Sequence, residues 1–259
     1  MVRGIDIFRE RFRDFEGSFI LIGGAACDQW FTDQGFAFRA TKDLDIVLLI
    51  EVLDRQFVAA FREFVEEGGY EIRERTEGKP ILYRFAKPRD ERFPAMLELF
   101  SRSPDTLELS DGQAIIPVGT ESGHHSLSAV LMDNAYYELI RSRQQEREGI
   151  RFASVSALIP LKARAWLDLT ERKNRGEKID SRDIDKHRTD VFRLAATLPG
   201  EPGPEIPGSV LGDLGRFLAA FPETSDEWPR ILDSLKAVFG ALRPGALRAA
   251  IATYFRLAA

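Results

Sequence analysis

Apolar residues recur along this chain with two different periods, and the change from one to the other divides it. Ile5, Phe8, Phe12 and Phe15 fall three or four positions apart. That is the spacing of one helical face, so the chain opens with a short amphipathic helix. Residues 18–22 carry a compact β-branched and aromatic run that stops at Gly23-Gly24. Such a run reads as a buried strand feeding a tight turn. Residues 25–31 then read as helix and residues 43–51 as a second strand. Residues 52–67 predict a helix with Phe57, Ala60, Phe61 and Phe64 on one face, closed by Gly68-Gly69. Two strand-like runs, 70–75 and 80–85, flank residues 76–79, a hairpin signal. Further strands are predicted over 95–100, 114–118 and 128–132, and Asp133 caps a helix that begins near Asn134. The Arg-rich segment 141–151 reads as solvated helix and loop.

After about residue 150 the period becomes helical throughout. Residues 156–175 keep Leu158, Leu161, Ala165 and Leu169 in register, and 184–198 form a second helix. A Pro/Gly-rich linker occupies residues 199–208. Residues 210–221, 228–239 and 244–257 are again helical. The expected fold class is therefore α/β (α+β). A mixed sheet with flanking helices spans 1–150, and a helical domain spans 151–259. Trp30, Trp166 and Trp228 are expected in the core, and Cys27 against the sheet.

Composition narrows the functional classes. The chain has 259 residues, 44% of them hydrophobic, enough for a sizeable core. A formal net charge of -5 argues against a protein that coats nucleic acid non-specifically. A single cysteine excludes a disulfide framework and a Cys-rich zinc site. The three histidines, two of them adjacent at His124-His125, give no zinc spacing. The charged amino terminus lacks the apolar core of a signal peptide. No apolar run approaches a membrane span. A cytoplasmic protein with no membrane partner is expected.

The candidate chemistry lies in Arg39-Ala-Thr41-Lys-Asp43-Leu-Asp45. On a strand, residues i and i+2 share a face, so Asp43 and Asp45 project together. Two acids on one face repel unless a cation or proton lies between them. A hard divalent ion, most plausibly Mg²⁺, suits oxygen-only ligands. This pattern points to phosphoryl or nucleotidyl chemistry. Glu98 is a single acid inside an apolar strand. Lys162 is a point cation on an apolar helix face, suited to a triphosphate oxygen. Arg39 and Thr41 are placed to contact phosphate or metal-bound water. Asp190 orients Lys162 or meets the nucleotide. Residues 162–193 hold ten Lys/Arg against seven Asp/Glu, a small local excess that suits an RNA or nucleotide partner.

In order, Gly23-Gly24, Asp43-Leu-Asp45 and Glu98 resemble the nucleotidyltransferase superfamily, the fold of polymerase β-like enzymes. The resemblance implies that Asp43, Asp45 and Glu98 bind two Mg²⁺ ions, with Mn²⁺ as an alternative. It also implies that Glu98 helps activate an attacking hydroxyl, and that Gly23 and Gly24 let backbone N–H groups approach an NTP. Gly-Gly-x-Ala followed by Arg-x-Thr-x-Asp-x-Asp is similar to the AbiEii/AbiGii-type nucleotidyltransferase toxins. Lys162 in Leu-Ile-Pro-Leu-Lys162 and Asp190 in the basic helix after Asp183 match further motifs of that subgroup. This likeness runs from about residue 18 to about residue 195. It implies transfer of an NMP to a tRNA or protein acceptor and a cognate antitoxin as partner. Two alternatives stay open: a nucleotide-binding regulatory protein without catalysis, and a small-molecule nucleotidyltransferase.

Overall fold

The amino-terminal phenylalanines set the first layer of the fold. The structure is a computed structural model and describes residues 2–74, 80–103, 115–118 and 127–257. Helix α1 (Ile5–Phe12) buries Ile5, Phe8 and Phe12, and a 3₁₀ turn (Arg13–Phe15) follows. Strand β1 (Phe19–Ile22) runs into helix α2 (Gly23–Asp33). Strand β2 (Asp43–Leu48) leads to helix α3 (Arg55–Gly68). Asp54 caps α3 by accepting from the Phe57 N–H at 2.8 Å. Gly69 ends it in the left-handed region at φ 61°. Five strands come next: β3 (Glu71–Glu74), β4 (Pro80–Ala86), β5 (Met96–Ser101), β6 (Ile115–Val118) and β7 (Leu127–Leu131). Helix α4 (Asn134–Ser142) precedes β8 (Gln144–Arg147) and β9 (Ile150–Ala153).

Among the described residues the strand order is β3-β4-β5-β2-β1-β9-β8, with β7 pairing to β5 and β6. The sheet is mixed. β2 is antiparallel to β1 and parallel to β5, and β1 is parallel to β9. Register sorts the side chains by face. Phe19, Leu21, Leu44, Ile46, Leu48, Phe85, Leu97 and Leu99 share one face and are all buried. The rings of α1 and α3 cover it. Phe19 lies 5.3 Å from Phe8 and 6.2 Å from Phe57, and Phe85 lies 5.7 Å from Phe61. The other face carries Ile20, Ile22, Asp43, Asp45, Val47, Arg84, Met96 and Glu98. The candidate acids therefore sit on the side of the sheet turned away from the phenylalanine core.

The carboxy-terminal half is helical: α5 (Val155–Asn174), α6 (Ser181–Ala195), α7 (Gly208–Ala219), α8 (Trp228–Phe239) and α9 (Pro244–Phe255). Its core gathers Phe192, Phe217, Phe221 and Trp228, with Phe192 and Trp228 ring centroids 4.7 Å apart. Residues 199–207 are pinned rather than loose. The Gly203 N–H donates to Tyr254 O at 2.8 Å, and a Cβ at Gly203 would lie 2.4 Å from the Tyr254 ring. The chain divides into Met1–Gln29 with Phe38–Ala153, and Trp30–Ala37 with Ser154–Ala259. No helix among the described residues is long and apolar enough to cross a membrane.

Several sequence expectations change. Segment 141–151 is not a solvated helix and loop: α4 ends at Ser142, and β8 and β9 pair as an antiparallel hairpin. Glu148 and Gly149 both take positive φ, 51° and 75°, as a tight two-residue hairpin turn requires. The hairpin was illegible because β8, Gln-Gln-Glu-Arg, has no apolar alternation. As an edge strand it needs none, and polar side chains discourage pairing with another chain. Helix α2 begins at Gly23, not at residue 25, so the Gly-Gly pair is its first turn. Trp228 is buried, whereas Trp30 and Trp166 are only half-buried. The Trp30 indole N–H donates to Thr197 Oγ1 at 2.8 Å. The turn at 76–79, His124 and His125 lie outside the described residues.

Candidate active site

Three neighbouring strands line up one row of charge. In the antiparallel β4–β5 pair, Arg84 stands opposite Glu98. In the parallel β5–β2 pair, Glu98 stands opposite Asp45. In the antiparallel β2–β1 pair, Asp45 stands opposite Ile22. Directly paired residues share a face, so the row reads cation, anion, anion, then the start of α2. Asp43 lies two positions before Asp45 on the same face, opposite Met96. Both aspartates are half-buried, while Leu44 and Ile46 between and beyond them are fully buried on the other face. The apolar alternation of β2 is what forces both carboxylates to one side.

The glycines close on this row. A Cβ on Gly23, which has φ +63°, would stand 1.8 Å from Asp45 Oδ2. A Cβ on Gly24 would stand 2.4 Å from Thr41 Oγ1. Only residues without a side chain let α2 begin this near to β2 and to the segment before it. Arg39 lies on that segment, half-buried, with its guanidinium 5.0 Å from the Phe38 ring centroid.

Glu98 is not an open ligand. Its side chain is 12% exposed, and Arg84 Nε donates to Oε1 at 2.8 Å. Arg84 Nη2 donates to the same oxygen. Burial pushes the Glu98 carboxyl above its ordinary range. Arg84 pulls it back, Asp45 and Asp43 push it up again, and the net direction is upward. Burial also works against the Arg84 charge, but Glu98 beside it outweighs that and keeps the guanidinium firmly protonated.

The donor chemistry, carboxylate oxygens on one sheet face, suits a hard divalent ion such as Mg²⁺. Among the described residues, however, no three His, Cys, Asp or Glu side chains are arranged around one ion position. Asp43 and Asp45 fit a two-carboxylate site. Glu98 has Oε1 committed to Arg84. Sequence reading missed Arg84. Its signal was a lone arginine between Tyr83 and Phe85 in an apolar strand, and only the register reveals which acid it meets.

The helical half holds a second buried charge pair. Lys162 on α5 and Asp190 on α6 are 5% and 1% exposed, with Nζ 3.2 Å from Oδ2. Arg193 Nη1 lies 3.6 Å from the other Asp190 oxygen. One helical turn separates Asp190 from Arg193, so α6 presents both to the same point. Asp190 thus holds Lys162, and Arg193 is a partner that sequence reading did not single out. Among the other candidates, Cys27 is fully buried and His187 half-buried.

In structure the chain is similar to an antigenic nucleotidyltransferase-like protein from Paracoccidioides brasiliensis, with 15% sequence identity and a TM-score of 0.41. That likeness covers 92% of this chain and 95% of the other. No family profile matches the sequence, and no curated protein matches it.

Proposed function

We propose that the acidic sheet face is the active site of a Mg²⁺-dependent nucleotidyltransferase, which moves an NMP from an NTP to an acceptor hydroxyl and releases pyrophosphate. One observation carries this reading: the parallel register that sets Asp45 beside Glu98 while Gly23 closes on Asp45. Asp43 and Asp45 would hold the ion. When bound, Mg²⁺ or Mn²⁺ supplies positive charge to the triphosphate and to the oxygens of an in-line displacement. The N–H groups at the start of α2 meet phosphate oxygens, as helix N-termini do. Arg39 and Thr41 add donors beside them. Glu98 Oε2, which takes no hydrogen bond among the described residues, accepts the proton of the attacking hydroxyl. An upward-shifted carboxyl is a better proton acceptor than an ordinary one. The new bond forms between the acceptor oxygen and the α-phosphorus, and the bond from that phosphorus to pyrophosphate breaks. The motif resemblance alone assigns Lys162, which pairs with Asp190, to phosphate.

The acceptor we favour is an RNA end such as that of tRNA, with a protein hydroxyl as the alternative; the support is the basic excess over residues 162–193. A toxin role, with a cognate antitoxin, is proposed on the motif resemblance alone. Label transfer from an α-³²P NTP to tRNA or protein tests the reading. Asp43→Ala should abolish transfer, and Asp45→Asn should remove most of it. No transfer with any common NTP, in Mg²⁺ or Mn²⁺, would sink it.

A second reading is favoured by the Arg84 contact, which occupies one of the two Glu98 oxygens, and by the lack of three acids around one ion position among the described residues. In that case the chain binds a nucleotide without turning it over. Calorimetry that records NTP binding with Mn²⁺, but no pyrophosphate release, selects it.

A further inference from the structure

We propose that Arg84 stands in the place of a second metal ion, so that the acidic face takes one divalent cation, at Asp43 and Asp45, rather than two. The inference rests on the nucleotidyltransferase reading for the nucleotide that accompanies the ion. The Arg84 geometry does not depend on it.

Asp45 and Glu98 are direct neighbours across parallel strands, and adjacent carboxylates call for a cation. Strand β4 supplies one on the far side of Glu98, at the directly opposed register position. Arg84 spends Nε and Nη2 on a single oxygen, Oε1, with the Nε contact at 2.8 Å. A divalent ion seated on the same oxygen would share it with a guanidinium, and two cations on one oxygen repel. Arg84 also feels the Asp45 charge, though less than that of Glu98. The side chain is 36% exposed, and among the described residues Nη1 makes no hydrogen bond. That donor is left to meet an anionic oxygen from outside, as a phosphate of the nucleotide would provide. Arg84 thus does two things a metal would do, neutralising Glu98 and offering positive charge to the ligand. It does so as a fixed side chain that needs no ion from solution.

The test counts bound Mn²⁺ by electron paramagnetic resonance on the full chain with a non-hydrolysable NTP. The wild type should hold about one ion per chain, and Arg84→Met about two, because Glu98 is then released as a ligand. Glu98→Gln should still hold its ion with little change in affinity. That variant keeps the proposal open to failure even if Arg84→Met does not fold, which circular dichroism reports. Two ions on the wild type, one ion on a folded Arg84→Met, or a loss of about tenfold or more in Mn²⁺ affinity in Glu98→Gln would each overturn it. The two proposals fail separately. Two ions with active label transfer reject the role of Arg84 and leave nucleotidyl transfer standing. One ion without transfer to any acceptor leaves Arg84 standing and rejects the enzyme. No ion rejects both.

Discussion

Gly23 is where one added methyl group meets the most resistance. Its φ of +63° costs a residue with a Cβ about 1–2 kcal/mol. The same Cβ would stand 1.8 Å from Asp45 Oδ2, and removing that carboxylate would leave the positive φ in place. Gly24 differs in its backbone: its φ is not positive, and its nearest obstruction is Thr41 Oγ1 at 2.4 Å, the end of a side chain. Gly24→Ala should therefore be partly rescued by Thr41→Ala, whereas Gly23→Ala should not be rescued by Asp45→Ala. Thermal unfolding of the single and double variants reads this directly. At this scale the sequence was informative about the glycines and the Asp pair, because both follow from local geometry. It was silent on Arg84, whose meaning comes from a neighbour fourteen positions away across a hairpin.

Between elements, the two kinds of ion pair in the helical half should behave unlike each other. Lys162 and Asp190 tie α5 to α6 with both groups buried. Removing Lys162 leaves a buried carboxylate with less compensation, so Lys162→Ala should lower stability by about 3 kcal/mol. Arg164 pairs with Asp213 at 3.1 Å, but its side chain is 50% exposed. Arg164→Ala should lower stability by about 0.5 kcal/mol at most. Urea midpoints at unchanged slope distinguish the two.

In the sheet unit, Glu51, Arg102 and Tyr137 tie the exits of β2 and β5 to α4. The Tyr137 hydroxyl donates to Glu51 Oε2 at 2.6 Å, and Arg102 Nε donates to Oε1 at 3.0 Å. Burial works to raise the Glu51 carboxyl, but Tyr137, a backbone N–H and Arg102 together hold it below its ordinary range. A depressed carboxyl adds stability that is present above its unfolded pKa and lost as pH falls through the lower folded value. Glu51→Gln should therefore flatten the acid side of the stability curve while leaving its shape above neutrality unchanged. Urea titrations stepped down from neutral pH measure this. Helices were readable here from apolar period, and the cap of α4 from Asp133; the Asp54 cap of α3 was not singled out. The β8–β9 hairpin was not, since an exposed edge strand has no buried face to impose a pattern.

For the whole molecule, net charge governs how a nucleotide can be bound. The chain carries -5, and in the proposed reading a face lined by two half-buried aspartates receives a triphosphate. Like charges of this density require a cation in the complex. An NTP with Mg²⁺ should raise the unfolding temperature, by about 2.7 kcal/mol of stability at a hundredfold excess over Kd. The shift should disappear with a chelator and in Asp43→Ala. A shift that survives the chelator would show that the side chains alone hold the nucleotide.

By itself, the sequence determined the order of strands and helices apart from the β8–β9 hairpin, the common face of Asp43 and Asp45, and the glycines that follow β1. These are consequences of period, sterics and turn chemistry within a few residues of each other. Only the tertiary structure decided which partners those residues meet. Alternation tells which face a strand residue occupies, but not which residue of another strand lies beside it. Register, fixed by the whole hydrogen-bonded ladder, set Asp45 beside Glu98 and Glu98 beside Arg84. Helix packing likewise buried Lys162 against Asp190 with Arg193 near. The physical reason is the same in each case: a charge finds its partner through contacts distant in sequence, and no local pattern encodes that distance.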